Sequence, residues 1–390
     1  MSTIRYAICG AGPVGLACAA LLARHGVPAG EIALIDAKPL EQSLRDPRSI
    51  ALSHASQVLL AGLGAWPLAA TPIHQIHVSR AGRFGRTLID RTEHALPALG
   101  HVTRYGAIVT ALSTVSEQAG VVAMRPVKVL GLEQHAGHAR LRLSGANGVE
   151  TLLDANVVIQ AEGGVFGEQS AKSVQREYAQ TALVAHVRTG SPLSHRAYER
   201  FTDEGPLALL PQEEAGDDAA TGSSYALVWC VAAGTAQRLL ALADTDFLRE
   251  LRQAFGGRLG SFVATGPRAA FPLGLNAHAP AASGNVVAIG NAAQTLHPVA
   301  GQGLNLGLRD AQVLARLLAR EPAAQALAQF AALREADRGA TIKLTDSMAR
   351  LFVGNAASPL QTVLGGALGL LDAATPLKQA FAERMMWGRR

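Results

Sequence analysis

The chain has 390 residues, 49% of them hydrophobic and 17% charged, with a net charge of +5. That balance excludes a disordered chain and leaves room for two or three domains around a sizeable core. A pI of about 9.4 suits an anionic cofactor or surface, but no Lys/Arg cluster is interleaved with aromatics, so nucleic acid is not an expected partner.

Cys9, Cys18 and Cys230 have no metal or redox spacing. They read as buried reduced thiols of a cytoplasmic protein, and no metal site is expected. The N-terminus runs straight into a strand pattern, with no signal peptide. The apolar run Leu364–Leu371 is far short of the about 20 residues a membrane-spanning helix needs.

In chain order, Tyr6–Cys9 is a short apolar run that reads as a buried strand. Gly10-Ala11-Gly12-Pro13-Val14-Gly15 follows, then a helix pattern over Leu16–Arg24 that Gly26 stops. A second run, Ile32–Ile35, ends in Asp36. This is the layout of a dinucleotide-binding unit. Gly10 permits the tight turn, and Gly12 lets backbone approach a pyrophosphate. Gly15 allows close helix–strand packing. The helix start favours negative charge, and Asp36 stands where a carboxylate accepts from ribose hydroxyls. The motif alone does not separate NAD from FAD.

A helix is expected over Ala107–Gln118. A strand meander follows at Val127–Leu132, Ala139–Leu143 and Val149–Leu153, and a further strand at Val157–Ala161 leads into Glu162 and Gly163. Thr181–Arg188, Ala197–Thr202, Ala208–Pro211 and Ser224–Ala232 read as sheet, and Phe247–Phe255 as helix. Gln212–Ser223 reads as a mobile hairpin loop. Asn285–Gly290 is another buried strand ending in glycine. It leads through Asn291 and His297-Pro298 to Gly301-Gln302-Gly303-Leu304-Asn305. From Leu304 the apolar positions Leu308, Ala311, Leu314, Ala315 and Leu318 recur at helical spacing. A glycine-rich loop thus precedes a helix start a second time, a second anion-friendly backbone site. The tail from Ala326 reads as helical, with breaks at Gly354–Pro359 and Pro376.

Together these segments resemble the group A flavoprotein hydroxylases related to para-hydroxybenzoate hydroxylase, and more closely the ubiquinone-biosynthesis branch of the polyprenyl-methoxyphenol hydroxylase type. Gly10–Gly15 is similar to the family's ADP-binding fingerprint. Arg48-Ser49-Ile50-Ala51-Leu52-Ser53 resembles a segment whose arginine lies near the flavin. Gly290–Asp310 is similar to the flavin-ribityl motif. Tyr198-Glu199-Arg200-Phe201-Thr202, Gly205–Pro211 and Leu227-Val228-Trp229-Cys230 resemble the substrate-domain sheet of the quinone hydroxylases. One departure stands out. Glu162-Gly163 occupies a place where the family usually has Asp-Gly, and the arginine downstream is missing, which bears on the nicotinamide site.

The resemblance implies an α/β fold: an FAD-binding Rossmann-like domain, an interleaved β-sheet substrate domain and C-terminal helices. The expected division is 1–72, 97–172 and 277–340 for FAD, 73–96 and 173–276 for substrate, and 341–390 for a helical tail. The expected cofactor residues are Gly10, Gly12, Pro13, Gly15, Asp36, Arg48, Glu162, Gly163, Gly290, Asn291, Pro298, Gly301, Gln302, Gly303, Leu304 and Asn305. The implied reaction is hydroxylation of a polyprenylated phenol with O2 and NAD(P)H, through a flavin hydroperoxide. No catalytic side chain is named. His297 reads as structural rather than as a base, and Trp229, Phe201 and Phe271 as core rather than pocket wall. The competing readings are a non-catalytic FAD-binding subunit of a biosynthetic complex and an FAD oxidoreductase of another reaction type. The expected location is cytoplasmic. The tail's apolar run and its terminal Arg384, Arg389 and Arg390 suit either ordinary helix packing or peripheral contact with the inner face of a membrane or a partner.

Overall fold

The first apolar run folds as strand β1 (Ile4–Cys9). Tyr6 and Ile8 point to one side and Ala7 and Cys9 to the other, and both sides are buried. The computed structural model describes residues 4–82, 85–163, 174–191, 195–214, 222–277, 282–298, 301–351, 372 and 374–388. After β1 come α1 (Pro13–Arg24), β2 (Ile32–Ile35), α2 (Leu40–Leu44), β3 (Ser49–Ser53), α3 (His54–Leu63) and β4 (Ala70–Ile73). Then follow β5 (Gln75–Arg80), β6 (Arg86–Asp90), β7 (Gly100–Arg104), α4 (Tyr105–Gln118), β8 (Ala123–Met124), β9 (Val127–His135), β10 (His138–Gly145) and β11 (Glu150–Gln160). The next stretch holds β12 (Val174–Thr189), β13 (Arg196–Phe201), β14 (Pro206–Pro211), β15 (Ser223–Ala232), α5 (Ala233–Ala241) and α6 (Asp244–Phe255). It continues with β16 (Phe262–Thr265), β17 (Ala269–Ala277), β18 (Ala282–Ser283), β19 (Val286–Ala288) and β20 (Gln294–Thr295). Helices α7 (Gln302–Leu318), α8 (Ala323–Leu351) and α9 (Thr375–Trp387) close the described chain.

The first sheet runs β18-β19-β11-β1-β2-β8, parallel throughout except for the antiparallel edge strand β18. Parallel neighbours need a crossover, and α1 is the one between β1 and β2. Helices α1, α4 and α7 cover one face through Leu16, Leu22, Ile108, Leu112, Leu308 and Leu314. The β9–β10 hairpin covers the other through Leu141 and Leu143.

Two strands expected separately, Val149–Leu153 and Val157–Ala161, are one strand of 11 residues, β11. Its first half pairs antiparallel with β10 and its second parallel with β1 and β19. Polar Asp154 interrupts the apolar pattern, but its carboxylate is gripped across the hairpin by Arg140 at 2.7 and 2.9 Å. The strand therefore continues where the sequence pattern breaks.

The second sheet is antiparallel along most of its order, β20-β17-β12-β15-β14-β13-β5-β6, with β16 beside β12. Leu183, Leu207, Tyr225, Trp229, Phe247, Leu251 and Phe255 pack its outer face under α5 and α6. Helix α5 was not expected; only its Ala236 and Leu239 are buried, too short a period to read. A small sheet, β3-β7-β4, bridges the two large ones. Pro376 sits in the first turn of α9, where a missing N–H costs nothing. Residues 215–221 of the expected loop, the Gly354–Pro359 break, the Leu360–Leu371 run, Arg389 and Arg390 lie outside the described residues. Among the described residues, no helix is long and apolar enough to cross a membrane.

Gly15 shows why α1 lies so close to β1: a Cβ there would overlap the Gly10 carbonyl oxygen. Gly15→Ala should therefore lower the urea unfolding free energy by about 3 kcal/mol or more. An unchanged unfolding midpoint would mean that α1 can back away from the turn.

Candidate active site

At the C-terminal ends of β1, β2 and β11 the first sheet opens into a cavity of about 1090 Å³, the expected position for a ligand in such a sheet. The inner face of the second sheet forms its opposite wall. Gly10, Gly12, Pro13, Asp36, Arg48, Glu162, Gly163, Asn291, Pro298, Gly301, Gln302, Gly303, Leu304 and Asn305 all line it. Gly15 and Gly290 do not. They stand behind the wall, where Gly15 meets Gly10 and Gly290 lies against Val14.

One end of the cavity is built by the β1–α1 turn. Gly10 has φ +105°, and a Cβ there would come within 2.6 Å of the Glu162 amide nitrogen. The two chain crossings therefore touch backbone to backbone. Helix α1 begins at Gly12 with no side-chain cap and no acidic residue in its first turn. Its terminal N–H groups suit an anion. Beside them the Asp36 carboxylate accepts from Ala11 N at 2.7 Å and from Lys38 N at 2.8 Å. The Arg125 guanidinium lies 3.9 Å from Asp36 and also donates to the Ala11 carbonyl. Sequence reading missed Arg125. Only the pairing of Ile35 with Met124 brings it level with Asp36. Desolvation, and then the Asp36 charge, raise the Glu162 carboxyl above its ordinary range. Gly164–Gly167, the continuation of this segment, lie outside the described residues.

The other end is built by α7. Gly301 caps it in the left-handed region, φ +60°, again with no side-chain cap and no acidic residue in the first turn. Asn305 is spent within the protein. Its Oδ1 accepts from Ser53 N and Ser56 Oγ, both at 2.8 Å, and its Nδ2 donates to Ala51 O at 2.9 Å and Gly301 O at 2.8 Å. It locks the α7 start to β3 and α3. Behind it the buried Asp310 accepts from Gly290 N at 3.2 Å and from Arg334 Nε at 2.7 Å. Between the two ends, Arg48 is held by Asp46 at 2.9 and 2.7 Å and stacks on the Tyr105 ring, 4.9 Å from its centroid.

The inner wall is apolar: Val184, Ala208, Leu210, Val228 and Phe271 line it. Phe271 is thus pocket wall and not core, because it faces Ala182 across the β12–β17 ladder on the cavity side. Trp229 and Phe201 are buried in the core. His297 is also buried, with Nε2 3.0 Å from Gln180 Oε1. Burial pushes it down to about 4, so it is neutral in the folded protein, and it lines the cavity.

Residues 3–340 match the FAD binding domain family. The chain belongs to this family. It is 31% identical to the ubiquinone hydroxylase UbiL of Rhodospirillum rubrum, over 97% of this chain and 88% of that one. It is 29% identical to the 3-demethoxyubiquinol 3-hydroxylase of Escherichia coli, over 80% and 78% respectively. These place it in the ubiquinone-hydroxylase branch of the FAD-binding proteins. Its fold is that of the p-nitrophenol 4-monooxygenase PnpA from Pseudomonas putida DLL-E4, with a TM-score of 0.74 at 16% identity and complete coverage of both chains. The residues present fit FAD: two helices without side-chain caps face one cavity, and the glycine backbone between them leaves room where side chains would intrude.

His297 predicts a pH effect. Unfolded histidine titrates near 6.5, so its stabilising contribution is full above that pH and is lost as pH falls toward 4. The loss is at most about 3 kcal/mol. His77, also pushed down to about 4, adds a similar slope. Urea midpoints at pH 7.5 and 5 should therefore differ less in His297→Gln than in the parent; equal slopes would show that His297 does not stay neutral.

Proposed function

We propose that the protein is an FAD-dependent monooxygenase that hydroxylates the ring of a polyprenylated phenol in ubiquinone biosynthesis, with O2 and NAD(P)H as co-substrates. The observation that carries this reading is the joining, in one cavity, of two anion-seeking helix starts to a long apolar wall. When bound, FAD supplies electron storage and the reaction with O2. The chain's own residues bind, orient and exclude water.

In this reading the backbone from Gly10 to Gly15 and the start of α1 hold the pyrophosphate, and Asp36 accepts from the adenosine ribose. The first turn of α7, from Gln302 to Leu304, gives N–H groups to the isoalloxazine, with Arg48 alongside. Residues 1–72, 97–172 and 277–340 form the FAD part, and 73–96 and 173–276 the substrate part. The ring and its prenyl tail take the apolar wall. Helix α9 closes that end through Phe381, Ala382 and Met385, and Gln302 Nε2 reaches the Met385 carbonyl at 3.5 Å. An apolar tail keeps the substrate in a lipid phase, and a basic chain suits peripheral contact with an anionic membrane surface.

A second reading, an FAD-binding subunit without its own turnover, rests on Glu162. Its raised carboxyl lies close enough to Asp36 to feel its charge, and the nicotinamide must approach near this segment. Anaerobic stopped-flow absorbance separates the two. The FAD-loaded protein should bleach with NADH or NADPH, faster with a short-chain prenylphenol, and oxygen-18 from labelled O2 should appear in the product. FAD-loaded protein that neither nucleotide reduces would favour the second reading.

A further inference from the structure

One carboxyl interrupts the apolar wall. Strand β13 pairs with β5 and β14 so that Glu199 lies between Val78 and Ala208. The same row continues through Val228 and Val184. Its neighbour Tyr198 turns outward and packs on Phe255, ring centroids 5.4 Å apart. Alternation then turns Glu199 inward, and it lines the cavity.

No described residue answers this carboxyl. Among the described residues it has no hydrogen-bond donor and no cation, and burial alone pushes it up to about 7. The groups that face it are few. On β15 the Cys230 thiol is raised well above its ordinary value by burial and by Glu199 itself, so it stays protonated. On β5 the next inward residue after Val78 is Arg80, which is paired with Asp203 at 3.4 Å. Strand β6 brings Thr87 and Ile89, β14 brings Ala208 and Leu210, and β12 brings His186 farther along, between Arg104 and Glu214. Helix α9 brings apolar residues, and its Lys378 is paired with Glu93 at 2.7 Å. A carboxylate desolvated without a partner is costly. The carboxyl is partly accessible from the cavity, so a ligand can supply the donor it lacks, and a phenol hydroxyl is such a donor.

We propose that Glu199 accepts the proton of the substrate's phenol hydroxyl, an inference that rests on the hydroxylase reading above. The phenol O–H bond breaks, a new O–H bond forms on the carboxylate, and the electron pair stays on the phenolate oxygen. No oxidant or reductant enters this step. The negative charge leaves the wall and moves onto the ring, which becomes a better target for an electrophilic oxygen at its ortho and para carbons. The match of acidities favours it. An ordinary glutamate near 4.3 and a phenol near 10 are separated by about 6 pKa units; a glutamate at about 7 halves that gap.

The test uses FAD-loaded protein, a short-chain prenylphenol and ring-fluorinated analogues already ionised at the assay pH. Wild-type hydroxylation should rise through about pH 7 with the plain phenol and lose that limb with the ionised ones. Glu199→Gln should retain FAD but hydroxylate the plain phenol about 100-fold more slowly or worse at pH 7. Its rate should recover toward high pH and approach the wild-type rate with ionised phenols. Glu199→Asp should recover part of the loss. Equal losses with ionised and un-ionised phenols would assign Glu199 a packing role and overturn the proposal. Should Glu199→Gln fail to fold, a wild-type limb near pH 7 that persists with ionised phenols overturns it as well. Wild-type protein that hydroxylates no phenol would overturn the hydroxylase reading itself, and this proposal with it.

Discussion

The contact on which the site depends is the near-collision of three backbones at the end of β1. The Gly10 turn, the first turn of α1 and the end of β11 approach so closely that a Cβ at Gly10 would strike the Glu162 amide and one at Gly15 the Gly10 carbonyl. Only the absence of side chains lets α1 begin directly above the strand ends. That position aims its terminal N–H groups into the cavity and sets Asp36 beside them. The same crossing fixes Glu162 against Asp36, so the identity of one residue just beyond β11 changes the electrostatics of a turn some 150 residues away in the chain.

The second helix start is held differently. Its anchor joins a buried charge cluster to a second close glycine contact, Gly307 against Val14 and Gly290. Asp310, wholly inaccessible, accepts from the Gly290 amide and pairs with Arg334, which also bonds Asp337 at 2.7 Å. Such a pair adds little net stability against an apolar replacement. Breaking it by removing one partner, however, costs about 3–5 kcal/mol, because a bare charge is left inside. The cluster is therefore better understood as fixing α7 and α8 in one register. Asn305, with all four of its amide hydrogen bonds made inside the protein, finishes that alignment from the other side.

What was legible in the sequence was whatever repeats or turns locally. The Gly10–Gly15 turn, the Gly301–Asn305 loop and the helix periods all declare themselves within a few residues. What was not legible depends on register between distant strands. Arg125 reaches Asp36 only because β8 pairs with β2. Strand β11 runs on through Asp154, which faces Arg140 across the hairpin, because β10 and β1 pair with it on both sides. Phe271 reads as core until β17 is set against β12. Asn305 carries the signature of a ligand contact, yet its side chain is consumed in joining three elements.

Glu199 belongs to that second class, and its placement gives the cavity its logic. At its two ends the cavity offers backbone N–H groups and no acidic residue in either helix start. Along its wall it offers aliphatic side chains, with one carboxyl set among them. A binding site for an apolar molecule gains nothing from a carboxyl in its wall, since desolvating it is unfavourable and apolar ligand atoms cannot compensate. Such a wall suits a ligand that is apolar along its length and carries one protic group at a defined place. The same desolvation that makes Glu199 costly raises its proton affinity. The residue is thus least content when the cavity is dry and empty of donors, and most useful when a ring hydroxyl has displaced the water.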